Sequence, residues 1–382
     1  MKKICYITTV SMTLASFVLE SAKYIHDKTD WDITFVCDND NTFANDLPDY
    51  FHFHPIKMKR GVSLSGVKAI LEMVEFFKEQ KFDLIQYSTP NASFYASLAG
   101  KIAKVPNRLY CQWGMAYVGF NGIKRRIFKT IEKIICRFST WIEPDSFSNL
   151  KFAHAERLYP ERIGSVIWNG SACGVNLQKY DITKKEKFRV SIRKKHGISE
   201  ESFVFGFVGR ITRDKGINEL LASAKRITEQ YRNAFFLLVG REEVNESVDR
   251  ELYNWSKINE RVIYTGTTNA VEQYMSAMDC FVLPSYREGF GMTVIEAEAM
   301  GVPVIITDIP GPTDGIQKDK TGLVVPRKDI DALHEAMEKM MRSSELRREL
   351  GSNAALFARK NFEQKELFKR ILADRKKLLG EF

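Results

Sequence analysis

The sequence predicts an α/β protein made of two doubly wound parallel-sheet domains. Three observations predict it. Short β-rich runs alternate with amphipathic segments along the chain, the pattern of βαβ units. The alternation runs twice, with an irregular, charge-rich segment near Asn169–Lys195 between the halves. The length of 382 residues also suits two domains of roughly 150 residues each.

At the start, Lys2-Lys3 followed by Ile4 to Leu19 imitates a signal peptide. Thr8, Thr9, Ser11, Thr13 and Ser16 interrupt the apolar run, so it reads as a buried strand followed by a helix. Strands are expected at Ile4–Val10, Ile33–Cys37, Leu84–Tyr87, Leu109–Gln112, Trp141–Glu143 and Val166–Trp168, with a short one at Phe51–Pro55. Helical patterns at Leu64–Gln80 and Asn91–Ala103 fill gaps between them. The second half repeats the plan at Phe203–Val208, Phe235–Val239, Val262–Thr265, Cys280–Pro284, Val302–Thr307 and Gly322–Val325. The expected organisation is a first domain over 1–168, a linker over 169–195 and a second domain over 196–360. The Lys/Arg-rich stretch 361–382 reads as a terminal helix.

Composition narrows the class. Hydrophobic residues are 44% and charged residues 27%, which excludes a disordered chain. No apolar run approaches a membrane span. The six cysteines stand singly, without metal spacing, which favours reduced thiols in a cytoplasm. Net charge is +9, and residues 101–137 carry nine Lys/Arg against one acid, Glu132. Such a patch suits an anionic partner. Nucleic acid is not expected, because no stacking surface or binding motif accompanies the charge.

Ligands of doubly wound sheets bind beyond the carboxyl ends of the strands. After Phe203–Val208 comes Gly209-Arg210-Ile211-Thr212-Arg213-Asp214-Lys215-Gly216. It reads either as a solvated loop or as a diphosphate site, with Arg210 and Lys215 beside free helix amides. After Cys280–Pro284 comes Ser285-Tyr286-Arg287-Glu288-Gly289-Phe290-Gly291-Met292-Thr293-Val294-Ile295-Glu296. Glu288 on the loop and Glu296 in the next helix can face one pocket, and two carboxylates suit sugar hydroxyls. The other reading makes Glu296 an early helix residue favoured by the dipole.

Together these pieces resemble the retaining, nucleotide-sugar-dependent glycosyltransferases of family 4, which have the GT-B fold. The resemblance rests on Val208-Gly209-Arg210 with Lys215-Gly216, on Glu288 and Glu296 around Gly-Phe-Gly, and on Met300-Gly301-Val302-Pro303-Val304. Thr321–Val325 and Asn169-Gly170 also fit, and Ile309–Asp314 is similar to members that build lipid-linked surface polysaccharides. The match is strong in the second half and architectural in the first.

The resemblance implies an interdomain cleft and a C-terminal helix crossing back to the first domain. It implies that Arg210 and Lys215 bind the donor diphosphate and stabilise it as leaving group. Glu296 would hold the ribose hydroxyls and Glu288 the donor sugar. The backbone of Gly209, Gly289, Phe290, Gly291, Met292 and Thr293 would line the donor site. The expected reaction is transfer of a sugar from UDP-sugar, with retention, to a polyprenyl-diphosphate-linked saccharide on the cytoplasmic face of the membrane. Cofactor and metal are not expected. Gln112-Trp113-Gly114 stands where many relatives have His-Gly, and Thr8–Thr13 replaces a glycine-rich loop, so Thr13 and Trp113 are acceptor-side candidates. Alternatives are a soluble acceptor, a nucleotide-sugar epimerase, or a non-catalytic scaffold subunit.

Asp38-Asn39-Asp40 has the D-x-D form that holds Mn²⁺ elsewhere, but reads as a strand-end turn. His52 and His54 lack a third ligand. Wound as a helix, Ile123–Phe138 places its isoleucines and phenylalanines in one sector and Arg125, Arg126, Lys129, Lys133 and Arg137 in the opposite one. The apolar stripe is expected on the sheet. The basic face is expected either in water alone or drawn to an anionic membrane.

Overall fold

A computed structural model describes residues 1–58 and 64–381. The chain divides into two compact units, Met1–Cys173 with the chain from Lys365 on, and Gly174–Gln364. The last expected residue of the terminal stretch, Phe382, lies outside the described residues.

The first unit holds strands β1 (Lys3–Ile7), β2 (Asp32–Cys37), β3 (His52–Pro55), β4 (Leu84–Tyr87), β5 (Asn107–Gln112) and β6 (Trp141–Pro144). They form one parallel sheet in the order β3-β2-β1-β4-β5-β6. β4 is buried along its length, as a sheet covered on both faces requires. Residues 3–26 form β1 and two helices, so the apolar start is part of this core.

The second unit holds β7 (Phe203–Val208), β8 (Ala234–Val239), β9 (Val262–Gly266), β10 (Cys280–Leu283), β11 (Val304–Thr307) and β12 (Gly322–Val325). Its parallel order is β12-β11-β10-β7-β8-β9. In each sheet the order reverses beside the first strand, between β1 and β4 and between β7 and β10. Loops diverge there and leave a crevice for ligands.

Three expectations are corrected. Val166–Trp168 is not a strand; Trp168 has φ +52°, which ends any extended run. The expected linker is irregular only in part, because Lys185–Lys195 is a helix. Its charges concealed an inward face: Arg193 is fully buried and donates to the carbonyls of Ala277, Ser199, Glu200 and Ser202 and to Asp279.

The third correction concerns the basic helix, Gly122–Phe138. Its apolar stripe is buried only in part: Ile135 lies in the core with Phe128 and Ile131 packed against it, while the edge of the stripe faces out. Glu132 is buried, accepting from Tyr110 at 2.9 Å and from Gln112 at 2.6 Å. A buried carboxyl is costly unless hydrogen-bonded, and these two donors satisfy it on the face that also buries Ile135 and Cys136. Arg125 and Lys129 turn inward with it and pair with Glu156 at 3.1 and 2.6 Å. Ile123 and Ile127 are left 76% and 53% exposed.

The helix Gln364–Leu378 returns the chain to the first unit. Leu367, Phe368 and Ile371 pack with Ile4, Tyr6 and Leu109. Arg375, also buried, reaches Glu143 with two nitrogens at 2.5 and 3.0 Å and Gln86 at 3.1 Å. Burial opposes its charge, and the carboxylates of Glu143 and Asp374 overcome that and raise its pKa.

Candidate active site

The loops after β7 and β10 meet at the second unit's switch point. Gly216 (φ +73°) ends the turn Arg213–Lys215 and opens the helix Ile217–Gln230. A Cβ there would lie 1.9 Å from the Pro284 carbonyl oxygen, so only glycine permits the approach. The Tyr286 amide donates to the Asp214 carbonyl at 2.8 Å and stitches the loops together.

This contact brings Lys215 and Glu288 to 2.5 Å, with both side chains largely buried. Ser285 donates to the same Glu288 oxygen at 2.7 Å. Asp214 accepts from Arg287 at 2.9 Å and from the Thr212 hydroxyl at 2.6 Å. Burial opposes the Asp214 charge, but Thr212, Arg287, Arg210 and Lys215 hold its pKa below the usual value. Arg210 is half exposed and pairs with Glu243 at 2.9 Å. Each cation is therefore held by an acid, the kind of pairing with which a polyanion competes. Asp214, Arg287, Glu243 and Ser285 were not singled out from sequence. Asp214, Arg287 and Ser285 stand inside the motifs quoted, while Glu243 follows β8 and carried no signal.

Gly291 (φ +83°) starts the helix Met292–Ala299. The first amides of a helix lack intrahelical partners, so those of Met292 and Thr293 suit an anion or a sugar oxygen. The Phe290 ring packs on Phe362 in the core and leaves only backbone for binding. Gly209 and Gly289 flank the two meeting loops.

Glu296 has a different neighbourhood from Glu288. Burial raises its pKa, a Tyr180 hydrogen bond and Lys179 pull it down, and Glu272 raises it further. A polar group placed there meets a carboxyl whose charge is already costly, and a hydroxyl donor relieves that cost.

Two residues further on, Glu298 is fully buried. Burial raises its pKa well above the usual carboxyl value, and the Thr321 hydroxyl pulls partly back. An acid with a raised folded pKa binds its proton more tightly in the folded state. The associated stability is full below the ordinary carboxyl range and is lost as pH rises through the folded value. Glu298→Gln removes that group's share of the loss, so the variant's melting temperature falls less steeply with rising pH than the wild type's. Equal slopes in the two pH series would contradict this.

In the first unit, the switch point lies between the loops after β1 and β4. Thr9 and Thr89 hydroxyls meet at 2.8 Å, and Ala92 donates to Thr9 at 3.3 Å. Thr89 has φ +69°, a costly conformation for a β-branched residue and one that collects at functional sites. Thr13 lies in the adjoining helix Ser11–Phe17, and the Trp113 ring sits 5.6 Å from Phe17. Gln112, by contrast, is buried and pinned by Glu132 and Tyr159. Asp40 caps the helix Asn41–Asp46 through the Thr42 and Phe43 amides and accepts from Ser11. His52 pairs with Asp32 and His54 stacks on Phe76. Among the described residues no cluster of His, Cys, Asp or Glu could hold a metal, and no helix is long and apolar enough to cross a membrane.

Two doubly wound sheets, the second with cations gathered over its switch point, define the GT-B class of fold. Comparison with known proteins narrows the class. Residues 188–357 match the family described as glycosyl transferases group 1, and residues 3–146 match glycosyl transferase 4-like. The capsular polysaccharide biosynthesis glycosyltransferase CapM of Staphylococcus aureus is 32% identical over 82% of this chain and 80% of its own length. The UDP-Gal:alpha-D-GlcNAc-diphosphoundecaprenol alpha-1,3-galactosyltransferase of Escherichia coli is 26% identical over 81% of this chain and 80% of its own. Among solved structures, sucrose-phosphate synthase from Thermosynechococcus elongatus superposes with TM-score 0.78 at 19% identity, covering 100% of both chains. Anabaena HepE in complex with UDP and glucose gives TM-score 0.79 at 18% identity, over 99% of this chain and 100% of that one. The chain belongs to the family 4-like, group 1 glycosyltransferases of GT-B fold.

Proposed function

We propose that the protein transfers a sugar from a UDP-sugar, with retention at the anomeric carbon, to a hydroxyl of a polyprenyl-diphosphate-linked saccharide in surface polysaccharide synthesis. The observation that carries the donor half is the Lys215–Glu288 pair at the switch point between β7 and β10, with Arg210, Met292 and Thr293 beside it. The names of the staphylococcal and E. coli relatives support the acceptor half. The lipid tail of that acceptor puts the enzyme at the cytoplasmic face of the membrane.

Departure of UDP builds negative charge on its β-phosphate. Arg210 and Lys215 stabilise that charge where it develops, which lowers the barrier. Lys215 releases Glu288 as it takes the phosphate, and Glu288 turns to the donor sugar hydroxyls. Glu296 accepts from the ribose hydroxyls, which relieves its buried charge. The cations already neutralise a diphosphate, so the reaction proceeds without a metal. The departing phosphate itself takes the acceptor's proton as the new bond forms on the same face.

Calorimetry and turnover in EDTA test these roles together. Glu296→Gln weakens UDP binding, because ribose is part of UDP. Glu288→Gln does not weaken UDP binding, since it frees Lys215 for the phosphate, and lowers turnover. Equal weakening of UDP by both substitutions, or loss of wild-type turnover in EDTA, would contradict the assignment.

A further inference from the structure

The outward face of the helix Gly122–Phe138 has an order of its own. Ile123 and Ile127 stand one turn apart and are 76% and 53% exposed. On a helical wheel, exposed Arg126, Lys133 and Arg137 lie to one side of them and exposed Lys124 to the other. The one acid of the helix, Glu132, is buried. The two inward cations, Arg125 and Lys129, share the carboxylate of Glu156. What remains outside is an apolar ridge with an unopposed positive flank.

We infer that this ridge inserts into an anionic bilayer, with Ile123 and Ile127 below the headgroups and the flanking cations among the lipid phosphates. The inference rests on the lipid-linked acceptor proposed above and names how the enzyme reaches it. Three features select this occupant. A second copy of the same face would set cations against cations. A nucleic acid backbone would satisfy the charges but leave two isoleucines in water, and the helix's own rings, Phe128 and Phe138, are not exposed for a base to stack on. A lipid surface satisfies both halves at once, because interfacial helices bury apolar side chains just under a charged boundary. The helix needs no further insertion, since its other face is already packed on its own sheet.

The insertion differs from attraction by a basic surface alone, because apolar contact and charge act together. Sedimentation of the full chain with vesicles of phosphatidylglycerol and phosphatidylcholine separates the two. Wild type binds at low salt and binds pure phosphatidylcholine much less. Ile123→Ser with Ile127→Ser weakens binding by about tenfold or more, because the lost area is apolar area taken out of water. Arg126→Glu, Lys133→Glu and Arg137→Glu together abolish it. Arg125→Gln leaves it within about twofold, because that charge is already paired inside the unit. All the outward positions are exposed, so unchanged melting curves certify the folded state of each variant. Wild type that stays in the supernatant, or an isoleucine variant that binds as well as wild type, overturns the inference. Binding is read without donor or acceptor. Protein that binds vesicles but fails to glycosylate a lipid-linked saccharide therefore overturns the acceptor reading alone.

Discussion

Lys215→Ala lowers kcat by about 10²–10³, the cost of losing one preorganised electrostatic stabiliser. The ammonium sits 2.5 Å from Glu288 in a largely buried loop junction, so its charge is aimed and little screened. Its removal deprives the departing diphosphate of a partner and leaves Glu288 with Ser285 alone. Lys215→Arg keeps the charge and restores part of the rate, which a purely structural role would not do. Because Lys215 and Glu288 touch, the double variant Lys215→Ala/Glu288→Gln loses less than the sum of the two single effects. Steady-state turnover and UDP calorimetry on the four proteins check this. Near-normal kcat in Lys215→Ala would remove the residue from the chemistry.

The second large effect is on stability. Arg375→Ala destabilises the first unit by about 3–5 kcal/mol, because it strands the buried Glu143 carboxylate without a counter-charge. Replacing both partners, Arg375→Met with Glu143→Leu, recovers most of that loss, since the desolvation cost leaves with the charges. The two units need not unfold together, so urea unfolding is followed by tryptophan fluorescence in a Trp255→Phe background, which leaves only first-unit probes, Trp31, Trp113, Trp141 and Trp168. A single variant as stable as wild type would show that the terminal helix is held by its apolar face alone.

These two sites differ in how far the sequence disclosed them. β7 and β12 have the predicted bounds because both are apolar runs bounded by glycine or polar turns. The meeting of the loops after β7 and β10, proposed here for the donor, was legible because doubly wound sheets place ligands after the strands, and the motifs fell there. The buried arginines were not legible. Arg193 and Arg375 look like members of solvated charge runs, and their burial rests largely on partners distant in sequence, Ala277 and Asp279 for Arg193, Gln86 and Glu143 for Arg375. The rotation of the basic helix was hidden for the same reason. A helical wheel ranks faces by hydrophobicity and cannot register that Tyr110 and Gln112 await a carboxylate. The observed rotation buries Glu132 together with Ile135 and Cys136 and leaves two isoleucines exposed.

The central claim is glycosyl transfer from a UDP-sugar to a lipid-linked saccharide. Its most direct measurement is incubation of the protein, in EDTA, with a panel of UDP-, GDP- and ADP-sugars and a polyprenyl-diphosphate saccharide, followed by mass and anomeric NMR analysis of the lipid product. The account predicts a product heavier by one sugar residue, formed from a UDP-sugar, with the donor's anomeric configuration retained. An inverted linkage, or UDP release with no gain in acceptor mass, would contradict it.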